Sequence, residues 1–295
     1  TAESIESLLS IMAASMLVIA TFSVASMVSA YASASSTATP RSFTLVVADD
    51  ASQNALSTFV GSFIFSIVAL TAVQNGYFGT AGLFIPFALT ASVFGIVIFT
   101  FVRWVDRIAR LGRMGSTIGK VEAATEEALK RRLNMPTLGG APVSSQSREQ
   151  AVFAARVGYV QNIDIAALQS WSEENQVRVV VAALPGTFAT PGRALAYVVA
   201  TTDGDPQVDC KAVVKAFQIG SNRLFYDDPR FGLVVLSEIA GRALSPAVND
   251  PGTAIHVVGT LVRLFALWSH AGTADSESAP MHDRVEVPEI SVRDM

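Results

Sequence analysis

Two prolines, an amide and a carboxylate occur close together in the segment 243–256, which reads ALSPAVNDPGTAIH. Ser245 and Asp250 each precede a proline. That pair is favoured at a helix start, because the side-chain oxygen accepts from exposed N–H groups and proline lacks one. We therefore expect two consecutive helix starts in this segment, with Asn249 and Asp250 holding the turn between them.

These residue types predict an anion site, since the N–H groups of a helix N-terminus bind negatively charged ligands. The guanidinium of Arg223 could add a bidentate donor. The hypothesis is a pocket for a small anionic effector, a phosphate or a carboxylate, formed by Arg223, Ser245, Asn249 and Asp250. The alternative is a buried structural network in which Arg223 pairs with an aspartate and Asn249 ties the joint together.

The same region is a weak candidate for catalysis or metal binding. Ser245, Asp250 and His256 contain the groups of a nucleophilic triad, but Ser245 lacks the glycine-flanked elbow of hydrolases. A metal site from Asp227, Asp228, Asp250 and His256 would have neither HExxH nor EF-hand spacing. We expect no catalytic residue, no metal and no cofactor, and a membrane-bound enzyme is the third hypothesis for function.

The elements that must position these residues belong to an apolar chain. Of its 295 residues, 51% are hydrophobic and 16% are charged, and the mean hydropathy is +0.42. These values are too apolar for an ordinary soluble protein. The charged residues among the first 102 are Glu3, Glu6, Arg41, Asp49 and Asp50. The sequence therefore predicts a membrane half followed by a water-exposed half.

A nucleic-acid-binding protein is excluded by the charge of the chain. Its net charge is -4, and no concentrated basic face is visible in the sequence. Such a face is needed to displace the counterions of nucleic-acid phosphates. The expected partners are instead the lipid bilayer, further copies of the chain and a small anionic effector.

Three uncharged runs predict transmembrane helices, at about 7–34, 56–73 and 83–102. Their lengths suit the roughly 20 residues that a helix needs to cross about 30 Å of hydrocarbon. Arginines follow the third run closely, so the positive-inside rule places the C-terminal half in the cytoplasm. Three spans then put Thr1 outside, and we expect a further transmembrane helix upstream that enters from the cytoplasm.

Hydroxyl side chains recur along the first span in steps that place them on one side of a helix. They are Ser15, Ser26, Ser29 and Ser33. Small hydroxylated residues let membrane helices pack closely, which is the simpler interpretation. The functional interpretation is that this serine stripe lines a water-filled pore. Because the span contains no Asp, Glu, Lys, Arg or His, a passive pore or a pure anchor is favoured over a pump.

The rest of the chain predicts a mixed α/β domain. A helical pattern over 103–133 continues the third span as a linking cytoplasmic helix, and the Pro, Gly and Ser-rich segment 134–149 marks a boundary. Over 150–295, β-branched runs around two Pro-Gly turns predict a small β module, and Asp164 is expected to cap a helix. The predicted fold class is a membrane α-helical bundle plus a cytoplasmic mixed α/β domain with a small β module.

The order of the motifs resembles a known family. GYVQNIDIAAL, PGTFATPGRAL, IGSNRLFYDDPRFGL and RALSPAVNDPGTAI follow the apolar segments. From about Ser7 to Phe265 the chain is similar to the bacterial integral membrane proteins grouped as Domain of Unknown Function 2254. The resemblance implies a multi-pass protein of the bacterial inner membrane with a cytoplasmic domain and no established chemistry. It also implies that the α/β domain is truncated at its C-terminus.

Two functions of different class fit these observations. The first is a homo-oligomeric pore or transport-related protein regulated by its cytoplasmic domain. The second is a non-conducting membrane scaffold or accessory subunit. They differ in whether the serine stripe faces a hydrated axis or packs against neighbouring helices and lipid.

Overall fold

The computed structural model of the protein describes residues 2–37, 39–42, 45, 50–78, 82–111, 114–144, 150–200, 208–271, 280–291 and 294. The chain divides into two compact units, an N-terminal unit, Thr1–Lys120, and a C-terminal unit, Val121–Met295. The boundary predicted at 134–149 falls partly outside the described residues, because 145–149 are not among them.

The N-terminal unit is built from long apolar helices. They are α1 (Ala2–Thr37), α2 (Asp50–Gln74) and α3 (Phe84–Leu111), with a short 3-10 turn at Pro40–Ser42. Each helix contains a segment long and apolar enough to cross a membrane, in agreement with the three predicted spans. These segments are Ala2–Ser33, Ser52–Gln74 and Phe84–Ile108.

Aromatic packing holds this helix bundle together near one end. The indole of Trp104 on α3 is buried and meets the ring of Phe59 on α2 edge-on, with centroids 6.2 Å apart. Met16 and Ala20 of α1 belong to the same buried cluster. Large apolar side chains remain exposed elsewhere on the bundle, as expected of a surface that faces lipid. Examples are Val18, Val28, Ile64, Val68, Ile96 and Phe99.

The helices that follow α3 lie wholly or mostly in the C-terminal unit. They are α4 (Met114–Asn134), whose first residues precede Val121, α5 (Ile165–Glu174), α6 (Lys211–Ala216), α7 (Pro229–Ala243) and α8 (Pro251–Ala271). The capping prediction for α5 is confirmed, because the Asp164 carboxylate accepts a hydrogen bond from the Ala167 N–H at 2.9 Å.

Among the described residues of this unit, eight strands form two sheets. The strands are β1 (Gly140–Ala141), β2 (Gln150–Phe153), β3 (Gly158–Ile163), β4 (Val177–Val181), β5 (Phe188–Ala189), β6 (Ala194–Ala200), β7 (Phe217–Gly220) and β8 (His282–Glu286). The larger sheet has the order β1-β8-β4-β6-β2, in which β8 runs parallel to both of its neighbours and β6 runs antiparallel to both of its own. The smaller sheet, β5-β3-β7, is antiparallel.

One apolar core joins the two sheets and the shorter helices. It contains Val160 of the smaller sheet, Leu195 and Val198 of the larger sheet, and Leu168 of α5. The Pro-Gly turn at Pro185-Gly186 leads into β5, and Gly186 has a φ of +89°, a left-handed conformation that favours glycine. The predicted fold class, a membrane helical bundle with a mixed α/β domain and a small β module, is confirmed.

The structure adds a fourth apolar helix to the three predicted spans. Within α8, Pro251–His270 is also long and apolar enough to span a membrane by length and composition. The helix packs on α7 and buries Val257 and Leu264. On its polar side, Arg263 donates to the Glu122 carboxylate of α4 at 2.7 Å. Part of its apolar surface stays exposed, at Ile255, Val258 and Val262.

Candidate functional site

The joint between α7 and α8 differs from its prediction. The expectation of two consecutive helix starts is wrong at Ser245, because residues 244–248 form a turn and the next helix begins at Pro251. Asn249 has a φ of +48°, a left-handed conformation that asparagine tolerates better than most residues. The Asp250 N–H donates back to the Ala243 carbonyl at 2.8 Å, so the turn is closed by the backbone.

Asp250 itself caps α8. Its carboxylate accepts from the Thr253 hydroxyl at 2.6 Å and from the Thr253 N–H at 3.1 Å. These two bonds, the hydroxyl first, lower the pKa of Asp250 below its ordinary value. Asp250 therefore stays ionised at neutral pH, and the start of α8 already holds a carboxylate.

Arg223 is likewise bound to a carboxylate of the protein. Its Nε donates to Asp228 Oδ2 at 2.6 Å, and its guanidinium carbon lies 5.2 Å from the centre of the Phe231 ring. The contacts described for Arg223 thus go to Asp228 and Phe231, whereas those of Asp250 go to Thr253. An anion would have to compete with both carboxylates, and the pocket expected from Arg223, Ser245, Asn249 and Asp250 stays a prediction.

Asp228 lies at the centre of a larger charged group, which we call the arginine–aspartate cluster. It is only 2% exposed, and its second oxygen, Oδ1, lies 3.7 Å from the Nε of Arg230. Asp227 accepts a hydrogen bond from the Asn162 amide at 2.8 Å. The cluster consists of Arg132, Arg223, Asp227, Asp228 and Arg230. Three guanidinium groups therefore face two carboxylates.

Arg132 brings α4 into this cluster. The residue is 3% exposed, and its Nη1 donates to the Pro136 carbonyl at 3.3 Å. The pKa of Arg132 is lowered to about 10, first because burial disfavours its charge and second because Arg230 lies near it. The carboxylates of Asp227 and Asp228 act in the opposite direction. Arg132 still carries its charge at neutral pH, so the two aspartates must balance buried positive charge.

The turn at Pro185-Gly186 in the β module lies against the cluster. The Nη2 of Arg230 donates to the Pro185 carbonyl at 2.9 Å. A Cβ on Gly186 would lie within 2.7 Å of both Oδ1 and Cγ of Asp228. Glycine is thus required here by its left-handed φ and by the close approach of a carboxylate.

Sequence reasoning missed Arg132, Arg230 and Gly186 as members of this network. A signal for Arg132 was present, since it continues the helical spacing of the buried residues of α4. The buried residues that precede it in this spacing are Ile118, Val121, Thr125 and Ala128. An arginine in the apolar phase of a helix indicates a buried ion pair.

The serine stripe of α1 lies outside the core of its bundle. Ser15 and Ser29 are exposed, and Ser26 and Ser33 are half-buried. The last three of these serines line an open groove of about 500 Å³. The other lining residues are Phe22, Ala25, Ala30 and Ile108. Within the described chain, the groove thus presents hydroxyl groups together with small and large apolar side chains.

The stripe occupies one flank of α1. The buried side of the helix is marked by Leu9, Met16 and Ser23. At 3.6 residues per turn, Ser29 and Ser33 lie ~100–140° round the axis from Met16, whereas Val28 lies ~120° round in the other direction. Val28 is 62% exposed. Over residues 24–33 the two flanks therefore differ in chemistry, one with serines and the other with valines, whereas Ser10 and Thr21 lie on the valine flank nearer the start of the helix.

The metal-site and nucleophilic-triad hypotheses concern residues whose positions the structure gives. Among the described residues, no group of three or more His, Cys, Asp or Glu side chains is placed to hold a metal ion. His256, considered above for a triad, is exposed on α8. Ser245 lies in the turn and accepts the Asn249 N–H through its backbone carbonyl at 2.8 Å.

Comparison with known proteins supplies a family and few functional details. The family model described as predicted membrane protein (DUF2254) matches residues 1–295. The chain is similar to the uncharacterized proteins MT1328 of Mycobacterium tuberculosis (strain CDC 1551 / Oshkosh) and Mb1321c of Mycobacterium bovis (strain ATCC BAA-935 / AF2122/97). Each is 32% identical to it over 120 residues, which are 40% of this chain and 23% of the relative. No solved structure matches the chain significantly.

Proposed function

Because the chain belongs to the DUF2254 family of predicted membrane proteins, we propose that it forms a homo-oligomeric membrane pore, regulated by its C-terminal unit. The observation that carries the proposal is the outward-facing groove of Ser26, Ser29 and Ser33. Small and hydroxylated residues let membrane helices pack closely against one another, and hydroxyl groups also bind water. Such a flank is best accommodated against other protein helices or water, and a symmetric ring of α1 helices around a hydrated axis provides both.

The lining of the groove also limits the kind of transport. Its lining residues carry no charge. The groove therefore lacks the ionisable groups that pumps and proton relays use within the membrane. The pore we propose is passive, with hydroxyl groups that replace part of the hydration shell of a small solute. The proposal assigns the chain no enzymatic reaction.

The orientation in the proposal follows from charge. Arg103 and Arg107 lie at the end of α3, and further basic residues follow them in the sequence, whereas residues 75–82, between α2 and α3, include none. The positive-inside rule then places the end of α3 and the C-terminal unit in the cytoplasm of a bacterial cell. The protein would be a multi-pass protein of the inner membrane.

Regulation in this proposal acts through α4. That helix contains the border between the two units, and its C-terminal part provides Arg132 to the arginine–aspartate cluster. An anionic effector that competed with Asp228 for the arginines would change the charge balance around Arg132. A shift of α4 is the step by which this change would reach the membrane helices.

We expect the double variant Ser26→Leu/Ser29→Leu to reduce solute flux by about tenfold or more, because leucine at the lining creates an apolar constriction that excludes water. Flux is measured for K⁺ and for glycerol in liposomes that contain the purified full chain. The oligomeric state of each variant is measured in detergent, so that loss of flux is separated from loss of assembly.

The matched control changes the opposite flank of α1. Val24→Leu/Val28→Leu adds the same kind of side chain at exposed apolar positions, and its flux should equal that of the wild type. Liposomes with folded, oligomeric wild-type protein that leak no faster than empty liposomes would contradict the pore.

A non-conducting scaffold is the second candidate, and a specific observation favours it. Ile255, Val258 and Val262 lie at steps of three and four on α8 and are 57–72% exposed. A row of this kind on a helix suits packing against another protein. An oligomer without flux would favour this candidate over the pore.

A further inference from the structure

The N-terminal unit contains a second cavity, separate from the serine groove. Its volume is about 480 Å³, within the range of small-molecule sites. Asn54 and Thr58 of the first turns of α2 line one side, and Phe99, Arg103 and Arg107 of the last turns of α3 line the other. Because α2 and α3 run in opposite directions along consecutive spans, the start of α2 and the end of α3 lie at the same face of the membrane.

The cavity has an excess of positive charge and of hydrogen-bond donors. Arg103 and Arg107 are two guanidinium groups against the single carboxylate of Asp106. Asp106 and Arg107 also interact with other groups of the protein. Arg103 lies over the Phe99 ring at 5.5 Å, an arrangement that leaves the edges of its guanidinium able to donate. A ligand for this cavity should therefore be an anion rich in acceptor oxygens.

Trp104 provides an independent indication of a ligand. The residue lines the cavity and is 3% exposed, yet its indole N–H has no hydrogen-bond partner in the part of the chain that the structure describes. The ring is held edge-on by Phe22 and Phe59, each with its centroid 6.2 Å away. Buried indole N–H groups are normally satisfied. A fixed donor without a partner at the wall of a cationic cavity is suited to bind an oxygen of a ligand.

The surroundings of the cavity distinguish a lipid from a soluble anion. Ile98, Phe99 and Val102 are exposed on the surface of α3, in the segment long enough to span the membrane. The acyl chains of a lipid could lie along these side chains while its phosphate meets the arginines. Basic pockets between transmembrane helices at the cytoplasmic face bind anionic headgroups in this way.

We propose that this cavity binds the phosphate of an anionic phospholipid, with Arg103, Arg107 and the Trp104 indole as donors. Asn54 and Thr58 provide further polar contacts at the opposite wall. The site is built within one chain, so it does not depend on whether the serine groove conducts.

The test is native mass spectrometry of the full chain in detergent, titrated with dioleoylphosphatidylglycerol and, separately, with dioleoylphosphatidylcholine. We expect the anionic lipid to bind about tenfold more tightly than the zwitterionic lipid. Arg103→Gln/Arg107→Gln should weaken binding of the anionic lipid by about tenfold. Trp104→Phe should weaken it by about threefold, because this change removes the donor and keeps an aromatic ring.

Arg41→Gln is the matched control. By the order of the spans Arg41 lies at the same membrane face, it is exposed, and it is not among the residues that line the cavity. Its affinity should stay within about twofold of the wild type. Equal binding of the two lipids, or an equal loss in the Arg41 variant, would overturn the proposal, because either result indicates general attraction to the surface.

Inorganic phosphate distinguishes the two sources of the anion and requires no variant. Addition of about 10 mM phosphate, roughly ten-thousandfold above a Kd of about 1 μM, should leave the bound lipid in place. Complete displacement would mean that the cavity is a site for a free anion, and the lipid assignment would be wrong. This measurement decides the question even if Arg103→Gln/Arg107→Gln fails to fold.

Discussion

Replacement of Asp228 by alanine should lower the free energy of unfolding of the C-terminal unit by about 3–5 kcal/mol. The carboxylate is 2% exposed, pairs with Arg223 and lies beside Arg230. Its removal leaves buried guanidinium groups, including that of Arg132, without their balancing charge. Thermal unfolding of the full chain in detergent should show a decrease in Tm on the order of 10 °C.

The neighbouring aspartate provides the control for this prediction. Asp227 is half-buried and accepts from the Asn162 side chain. Asp227→Asn keeps an acceptor for the Asn162 amide and removes only the more exposed of the two carboxylates that balance the arginines, so we expect a smaller loss of about 1 kcal/mol. If Asp228→Ala were no more destabilising than Asp227→Asn, the arginine–aspartate cluster would not be a structural centre of this unit.

Replacement of Gly232 by alanine should destabilise the same unit by about 3 kcal/mol. Gly232 lies on α7 where that helix crosses α4, and an added Cβ would lie within 2.7 Å of Thr125 Cβ. Thr125 is fixed there, because its hydroxyl donates to the Val121 carbonyl of its own helix. The two helices would have to separate, and buried contacts along both would be lost. The shift in Tm measures the effect.

Two further variants separate this collision from a general effect of substitution in α7. A Cβ at Gly241, on the same helix, would meet no atom within 4 Å, and Gly241→Ala should be neutral or stabilising by up to about 1 kcal/mol. In the Gly232→Ala background, Thr125→Ala should restore part of the stability, because it removes the hydroxyl and methyl groups that collide. No recovery in this double variant would argue against the close approach of α4 and α7.

The membrane part of the fold was predictable from local composition. A span is recognised by the length of an uncharged run, which depends on no contact elsewhere in the chain. The cap at Asp164 and the helix start at Asp250-Pro251 were predictable for the same reason. In contrast, α8 was not predicted as a span although its length and composition allow one, and its packing on α7 depends on the tertiary fold.

The charged network could be predicted only in outline. The pairing of Arg223 with an aspartate was one of two alternatives, and Asp228 as its partner is five residues away. The contribution of Arg132 depends on how α4 meets the turn before α7, about a hundred residues later. The same limit applies to Glu286, which pairs with Arg178 and accepts from Ser144 across the larger sheet. The burial of Arg132 had a local signal in the spacing of α4, but the partners in such contacts follow from the tertiary fold.

The orientation of the serine stripe in the assembly is the central claim, and substituted-cysteine accessibility tests it most directly. The single native cysteine, Cys210, is half-buried, and burial raises the pKa of its thiol. This favours the unreactive thiol form. With Cys210→Ser as background, Ser29→Cys and Val28→Cys place one thiol on each flank of α1.

Both variants are reconstituted in liposomes and treated with a charged, membrane-impermeant methanethiosulfonate reagent while K⁺ flux is recorded. A thiol in a hydrated pore forms the reactive thiolate, whereas a thiol in lipid does not. The pore predicts that Ser29→Cys is modified and that its flux stops, while Val28→Cys is unmodified and its flux continues. An unmodified Ser29→Cys with undiminished flux, or equal modification of both positions, would contradict it.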